Sequence, residues 1–158
     1  MIYFKKVYFD HSEKSNIETA LRKFAIKQFK LFDLETLSSN IGTDKFFFGF
    51  EGKKALYFTR VSASFERILP RVIVKLPKNE TDFYYGFRLG TISSFILLLF
   101  SFIFIEAFVG FILEKISLSD FITILLFFLV FLGLIWIELK LATSRIQKAI
   151  INFQNSKN

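Results

Sequence analysis

The chain has 158 residues, with 21 Lys+Arg against 14 Asp+Glu for a formal net charge of +7. Hydrophobic residues make up 53 % of it and 24 residues are Phe, which excludes collagen-like, low-complexity and disordered classes, because so apolar a chain can bury enough surface to order itself. With no Cys there are no disulfides, no thiol chemistry and no Cys-ligated zinc.

In chain order, Ile2–Phe9 is rich in strand formers and predicts a strand. Ser15-Asn16-Ile17-Glu18 fits a capping box and predicts a helix from Asn16 to about Phe29, with Ile17, Leu21, Phe24, Ala25 and Phe29 on one face. From Lys45 the texture changes to short aromatic and β-branched runs: KFFFGF, KALYFTR, SASFERI, RVIVKLP and DFYYGFR. Glu51-Gly52-Lys53, Pro70 and Lys78-Asn79-Glu80 separate them as turns or an edge, so four or five antiparallel strands are expected. The last strand leads into the next element without a flexible linker.

Residues 89–105 and 121–137 then carry no charge, 17 residues each, bracketed by Arg88 and Glu106 and by Asp120 and Glu138. At about 1.5 Å per residue each covers roughly 26 Å, near the minimum for crossing a hydrocarbon core, and Ala107–Leu113 can lengthen the first. A chain of this size has too little left over to wrap two such rods as core helices, so a two-span hairpin is predicted. Lys/Arg dominate before the first run and after the second, whereas Glu106–Asp120 holds only Lys115 against three acids. That asymmetry predicts an inner (plasma) membrane protein with both termini cytoplasmic. Tyr84, Tyr85, Arg88 and Trp136 are the expected interfacial anchors on the cytoplasmic side. No cleavable signal is expected, since Met1–Asp10 lacks an uninterrupted apolar stretch. Beyond the second run, Leu139, Ala142, Ile146, Ala149 and Phe153 form an apolar seam at steps of three and four, expected to pack against the β-rich domain, with self-association or a place on the headgroups as the alternatives.

The predicted class is therefore α+β. An N-terminal strand, helix and antiparallel sheet occupy residues 1–86, with a first membrane helix at 87–113 and an external loop at 114–119. A second membrane helix follows at 120–138 and a cytoplasmic amphipathic helix and tail at 139–158.

Chemistry-bearing motifs are few. Asp10-His11-Ser12-Glu13 groups acid/base residues, but Asp, Ser and Glu are ordinary turn and cap residues. Gly49-Phe50-Glu51-Gly52-Lys53-Lys54 has the wrong spacing for a phosphate-binding loop and reads as a hairpin. No catalytic residue, metal site or cofactor is predicted, and the chain is not expected to be an enzyme. Arg22, Lys23, Lys27 and Lys30 form a candidate basic face for anionic lipid headgroups, since each cation near such a surface contributes about 1 kcal/mol. Nucleic acid is not the expected partner, because no reading motif is present. Gly90, Ser94, Ser101 and Glu106 are the candidate intramembrane contact or polar residues, suited to close helix approach and homo-oligomer formation. Glu106 marks the outer interface if the first helix ends at Ile105, and lies within the apolar zone if it runs on to Leu113.

The segments Phe48-Gly49-Phe50-Glu51-Gly52, Phe58-Thr59-Arg60, Phe65-Glu66-Arg67, Leu69-Pro70 and Val72-Ile73 together resemble a set of small bacterial membrane proteins in which a β-rich cytoplasmic region precedes two apolar spans. A Gly expected near Lys75 in that set is absent here. The resemblance implies the layout and no activity. In size and layout the chain is also similar to two-span effectors of bacterial defence systems. The expected function is a non-enzymatic inner-membrane protein whose cytoplasmic domain binds a ligand or protein partner. The alternatives are an oligomeric effector that permeabilises the bilayer, or an immunity-type protein.

Overall fold

The computed structural model describes residues 3–28, 45–62, 65–79 and 81–156. Six strands form one sheet: β1 (Tyr3–Tyr8), β2 (Ala25–Gln28), β3 (Phe47–Glu51), β4 (Ala55–Arg60), β5 (Val72–Pro77) and β6 (Tyr84–Leu89). Their order is β1-β6-β5-β4-β3-β2. Strands β3 to β6 make an antiparallel meander with β1 added antiparallel at one edge, in the register Val7 opposite Tyr85. At the other edge β2 runs parallel to β3, so the sheet is mixed where a purely antiparallel one was expected.

Helix α1 spans His11–Lys23, beginning earlier and ending sooner than the capping-box reading placed it. Asp10 is its N-cap, and Ser15 lies in the second turn, where its carbonyl accepts from the Thr19 hydroxyl at 2.7 Å. Asp10 makes no side-chain cap; the Glu13 amide donates to the Asp10 carbonyl at 2.9 Å, which closes the first turn ahead of the expected box. Ala25–Gln28 near the end of the expected helix is instead β2, which gains backbone partners along Phe47–Phe50, a pairing that helical propensity does not outweigh. Phe29, the last residue of that expected helix, lies outside the described residues.

The Gly52 turn joins β3 to β4 as read from the sequence, with the Gly52 amide donating to the Ala55 carbonyl at 2.9 Å. The strand expected over SASFERI is not formed at Phe65–Ile68, and Ala63 and Ser64 lie outside the described residues. Phe65–Ile68 is a one-turn 3-10 helix (η1), closed by the Leu69 amide donating to Glu66 O at 3.1 Å, and the chain then turns through Pro70 into β5. Only Gly90 separates β6 from helix α2 (Thr91–Ile112). Glu114, at φ 56°, reverses the chain after α2, and the Lys115 amide caps Gly110 O at 2.8 Å.

Helix α3 (Leu118–Asn155) is one rod of 38 residues, roughly 57 Å long. Ser117 caps its start, its hydroxyl accepting from the Asp120 amide at 3.2 Å. Both α2 and the first half of α3 are long and apolar enough to span a membrane, and only 6 % and 11 % of their most apolar windows is buried within the chain. Buried core helices would show the reverse. Phenylalanines join the two helices: Phe104 stacks on Phe128 at 5.1 Å, Phe111 on Phe121 at 4.9 Å, and Phe100 meets Phe131 at 5.2 Å.

The core of the sheet domain lies on one face. Phe47, Phe58, Val74, Leu76 and Phe87 meet Ile17 and Leu21 of α1 and Ile146 and Ala149 of α3. The seam Ala142, Ile146, Ala149 and Phe153 is buried, and Leu139 half-buried, as its spacing indicated. The second half of α3 is thus part of the domain's core.

Candidate site: the junction between sheet and hairpin

Arg60 is the last residue of β4, on the same face as Leu56 and Phe58 because side chains alternate along a strand. That face points at the helices. Glu138 follows the apolar run of α3 and belongs to the buried stripe Ile135, Glu138, Ala142 and Ile146. The two side chains therefore meet inside the protein, 4 % and 3 % exposed. Arg60 Nε donates to Glu138 Oε1 at 3.2 Å and Nη2 to Oε2 at 2.6 Å, a two-pronged fit of planar guanidinium to carboxylate. Nη1 donates to Oε2 of Glu66 in η1. Burial acts to lower the Arg60 pKa and is the largest single influence, but the bonds to Glu138 and Glu66 outweigh it and hold that pKa above its ordinary value. One cation thus ties β4, η1 and α3 together.

A second tie holds the other helix. The Gly90 amide donates to Arg71 O at 2.8 Å, and the Arg71 amide donates to Ser93 Oγ at 2.9 Å. The start of α2 is thereby fixed to the chain just ahead of β5. Ser94, next in line, is 9 % exposed, and its hydroxyl is the one buried side-chain oxygen or nitrogen without a hydrogen-bond partner among the described residues. Ser101 donates to Leu97 O of its own helix at 2.8 Å. Glu106 lies on the exposed surface of α2, which continues past it to Ile112. Gly90 and Ser94 therefore sit at the base of the domain, and Ser101 and Glu106 along the apolar helix.

The candidate basic face is not one helical face, because α1 ends at Lys23. Arg22 is engaged by Glu18 at 2.9 Å and by Glu51 at 3.2 Å. Lys23 donates to Ser156 Oγ at 2.9 Å and lies over the Phe153 ring, Lys27 belongs to β2, and Lys30 is outside the described residues. Arg22 and Lys78 hold the Glu51 carboxyl well below the usual range, at about 2, the bond to Arg22 being the larger cause. Arg22, Ala25, Lys27, Phe50 and Phe58 also line a cavity of about 150 Å³ beside β2.

Of the four expected interfacial anchors, Trp136 is 63 % exposed on α3 with Lys140 Nζ 5.4 Å from its ring, and Tyr84 is half-buried beside Tyr8. Tyr85 and Arg88 are 6 % and 4 % exposed inside the domain, so they have no surface to offer a headgroup region. Burial raises the Tyr85 hydroxyl pKa. His11 packs on Phe83 at 4.9 Å, and among the described residues no three His, Asp or Glu side chains converge as metal ligands would.

Sequence reasoning reaches this junction only in fragments. Arg60 and Glu66 fall in the quoted segments and Glu138 marks the end of an uncharged run, but nothing local links residues 78 positions apart. Searches against family models, curated proteins and solved structures find no match for this chain, so its function is argued from the junction's geometry.

Proposed function

We propose that the chain is a two-span inner-membrane protein whose sheet domain and both termini are cytoplasmic, and that this domain binds a ligand or protein partner while the hairpin anchors it. The observation that carries the reading is the continuity of α3, an apolar rod whose second half belongs to the core of the domain. Such a helix keeps the domain at the bilayer surface, and the Arg60 fork fixes its rotation about the helix axis. Charge asymmetry supplies the orientation, since Lys140, Arg145 and Lys148 follow the second apolar run. No catalytic step is part of this reading. A reporter fused after Asn158 is expected to be active only in its cytoplasmic form, and one inserted at Ser117 only in its external form. An externally active terminal fusion would overturn the placement.

One observation favours a second reading, an oligomeric effector that permeabilises the bilayer. Glu106 projects from the exposed apolar surface of α2, where a carboxyl in hydrocarbon needs a partner or water. Overexpression of the parent with a dye-entry readout separates the two. Dye entry that is lost in Glu106→Gln supports the effector; intact cells with both chains support the anchor.

A further inference from the structure

Ile68, in η1, is 78 % exposed, the most exposed large apolar side chain among the described residues and more so than any in the hairpin itself. A single exposed isoleucine is unremarkable on a soluble surface. Its position is what distinguishes it. Two residues before it, Glu66 is bound through Arg60 to Glu138, the residue that ends the uncharged run of α3. Three residues after it, Arg71 is bound through both backbone groups to Gly90 and Ser93, at the start of α2. The short segment Glu66–Arg71 is therefore strung between the points where both apolar helices enter the domain. Pro70 is buried and Leu69 half-buried, so the segment is anchored from within while Ile68 points out. Trp136 and Ile137, 63 % and 42 % exposed, lie on α3 immediately before Glu138, at the same end of the apolar surface.

We infer that η1 and the turn after it form a collar seated in the phospholipid headgroup layer, with Ile68 inserted among the headgroups. The collar rests on the reading of the hairpin as membrane-spanning and adds a third contact between chain and bilayer. Its occupant is the lipid interface, because two independent sets of bonds, Glu66 through Arg60 to Glu138 and Arg71 to Gly90 and Ser93, tie the collar to the points where the exposed apolar surfaces of both helices begin. An exposed apolar side chain suits that layer, where apolar carbon meets the headgroups.

The absence of Cys makes the test clean. Single-cysteine chains Ile68→Cys, Leu126→Cys and Gln154→Cys are spin-labelled in the full-length protein and reconstituted in phospholipid vesicles. Collision with oxygen, which concentrates in the bilayer, is compared with collision with a water-soluble nickel chelate. Leu126 is 59 % exposed within the apolar run, and Gln154 lies about 24 Å beyond Glu138 along α3. The collar predicts that the label at 126 favours oxygen and that at 154 nickel. The label at 68 should fall between them, with nickel collisions several-fold below those at 154. Equal nickel collisions at 68 and 154, with 126 still in the bilayer, would overturn the collar and leave the spans intact. Strong nickel collisions at 126 would overturn the spanning reading, and the collar with it.

Discussion

Arg60 is where single-residue energetics bear most on the architecture. Burying a charged pair such as Arg60 and Glu138 is costly, and their mutual attraction offsets the cost only while the geometry is kept. Arg60→Met leaves Glu138 buried without its fork and is expected to destabilise the protein by about 3–5 kcal/mol. Adding Glu138→Leu to that variant removes the orphaned charge and should recover most of the loss, because a well-packed apolar pair can match a buried ion pair. Chemical denaturation of the three chains in one detergent measures the cycle; a double variant no more stable than Arg60→Met would mean the fork is not the relevant contact. Glu51 gives a contrasting case at the surface. Its carboxyl pKa in the folded chain, about 2, lies below the ordinary value of 4.5, so the contribution is fully present above that ordinary value. It is lost as pH falls through about 2, and Glu51→Gln should flatten the stability profile across that window. Solvent exposure of the carboxylate and its partners keeps the effect small and sensitive to salt.

At the level of elements, the parts that repeat a period were legible in the sequence. Two uncharged runs became α2 and the first half of α3, and the seam from Leu139 to Phe153 became the buried face of the second half. What was hidden depended on distant partners. Ala25–Gln28 has no local reason to leave the helix, and becomes a strand because β3 offers a parallel ladder. Phe65–Ile68, expected within a strand, winds instead into one turn, whose Glu66 is held by Arg60 from the end of β4. Strand β6 is the element on which the sheet depends, because it pairs with β5 on one side and is the partner of β1 on the other. A fragment ending at residue 82 lacks β6 and the second half of α3, so β1 has no ladder and the core face is uncovered. That fragment is expected to aggregate and to show no cooperative melting transition. A soluble fragment with a sharp transition would show that α3 is dispensable to the core.

At the scale of the whole molecule, the sheet domain and the hairpin share α3, and they share the junction built from Arg60, Glu138, Arg71 and Ser93. A tethered domain would have a hinge between anchor and core. Here α2 leaves the sheet through the single residue Gly90, itself hydrogen-bonded to Arg71, and α3 runs into the core without a break. Domain and spans should accordingly open as one unit, with any load on the domain transmitted to the helices. Amide hydrogen exchange of the full chain in bilayer discs tests this most directly. The account predicts that amides of Ala142–Phe153 in α3 exchange as slowly as those of β4, β5 and β6, and that Arg60→Met speeds both groups together. Fast exchange across Ala142–Phe153 while the strands stay protected would contradict it.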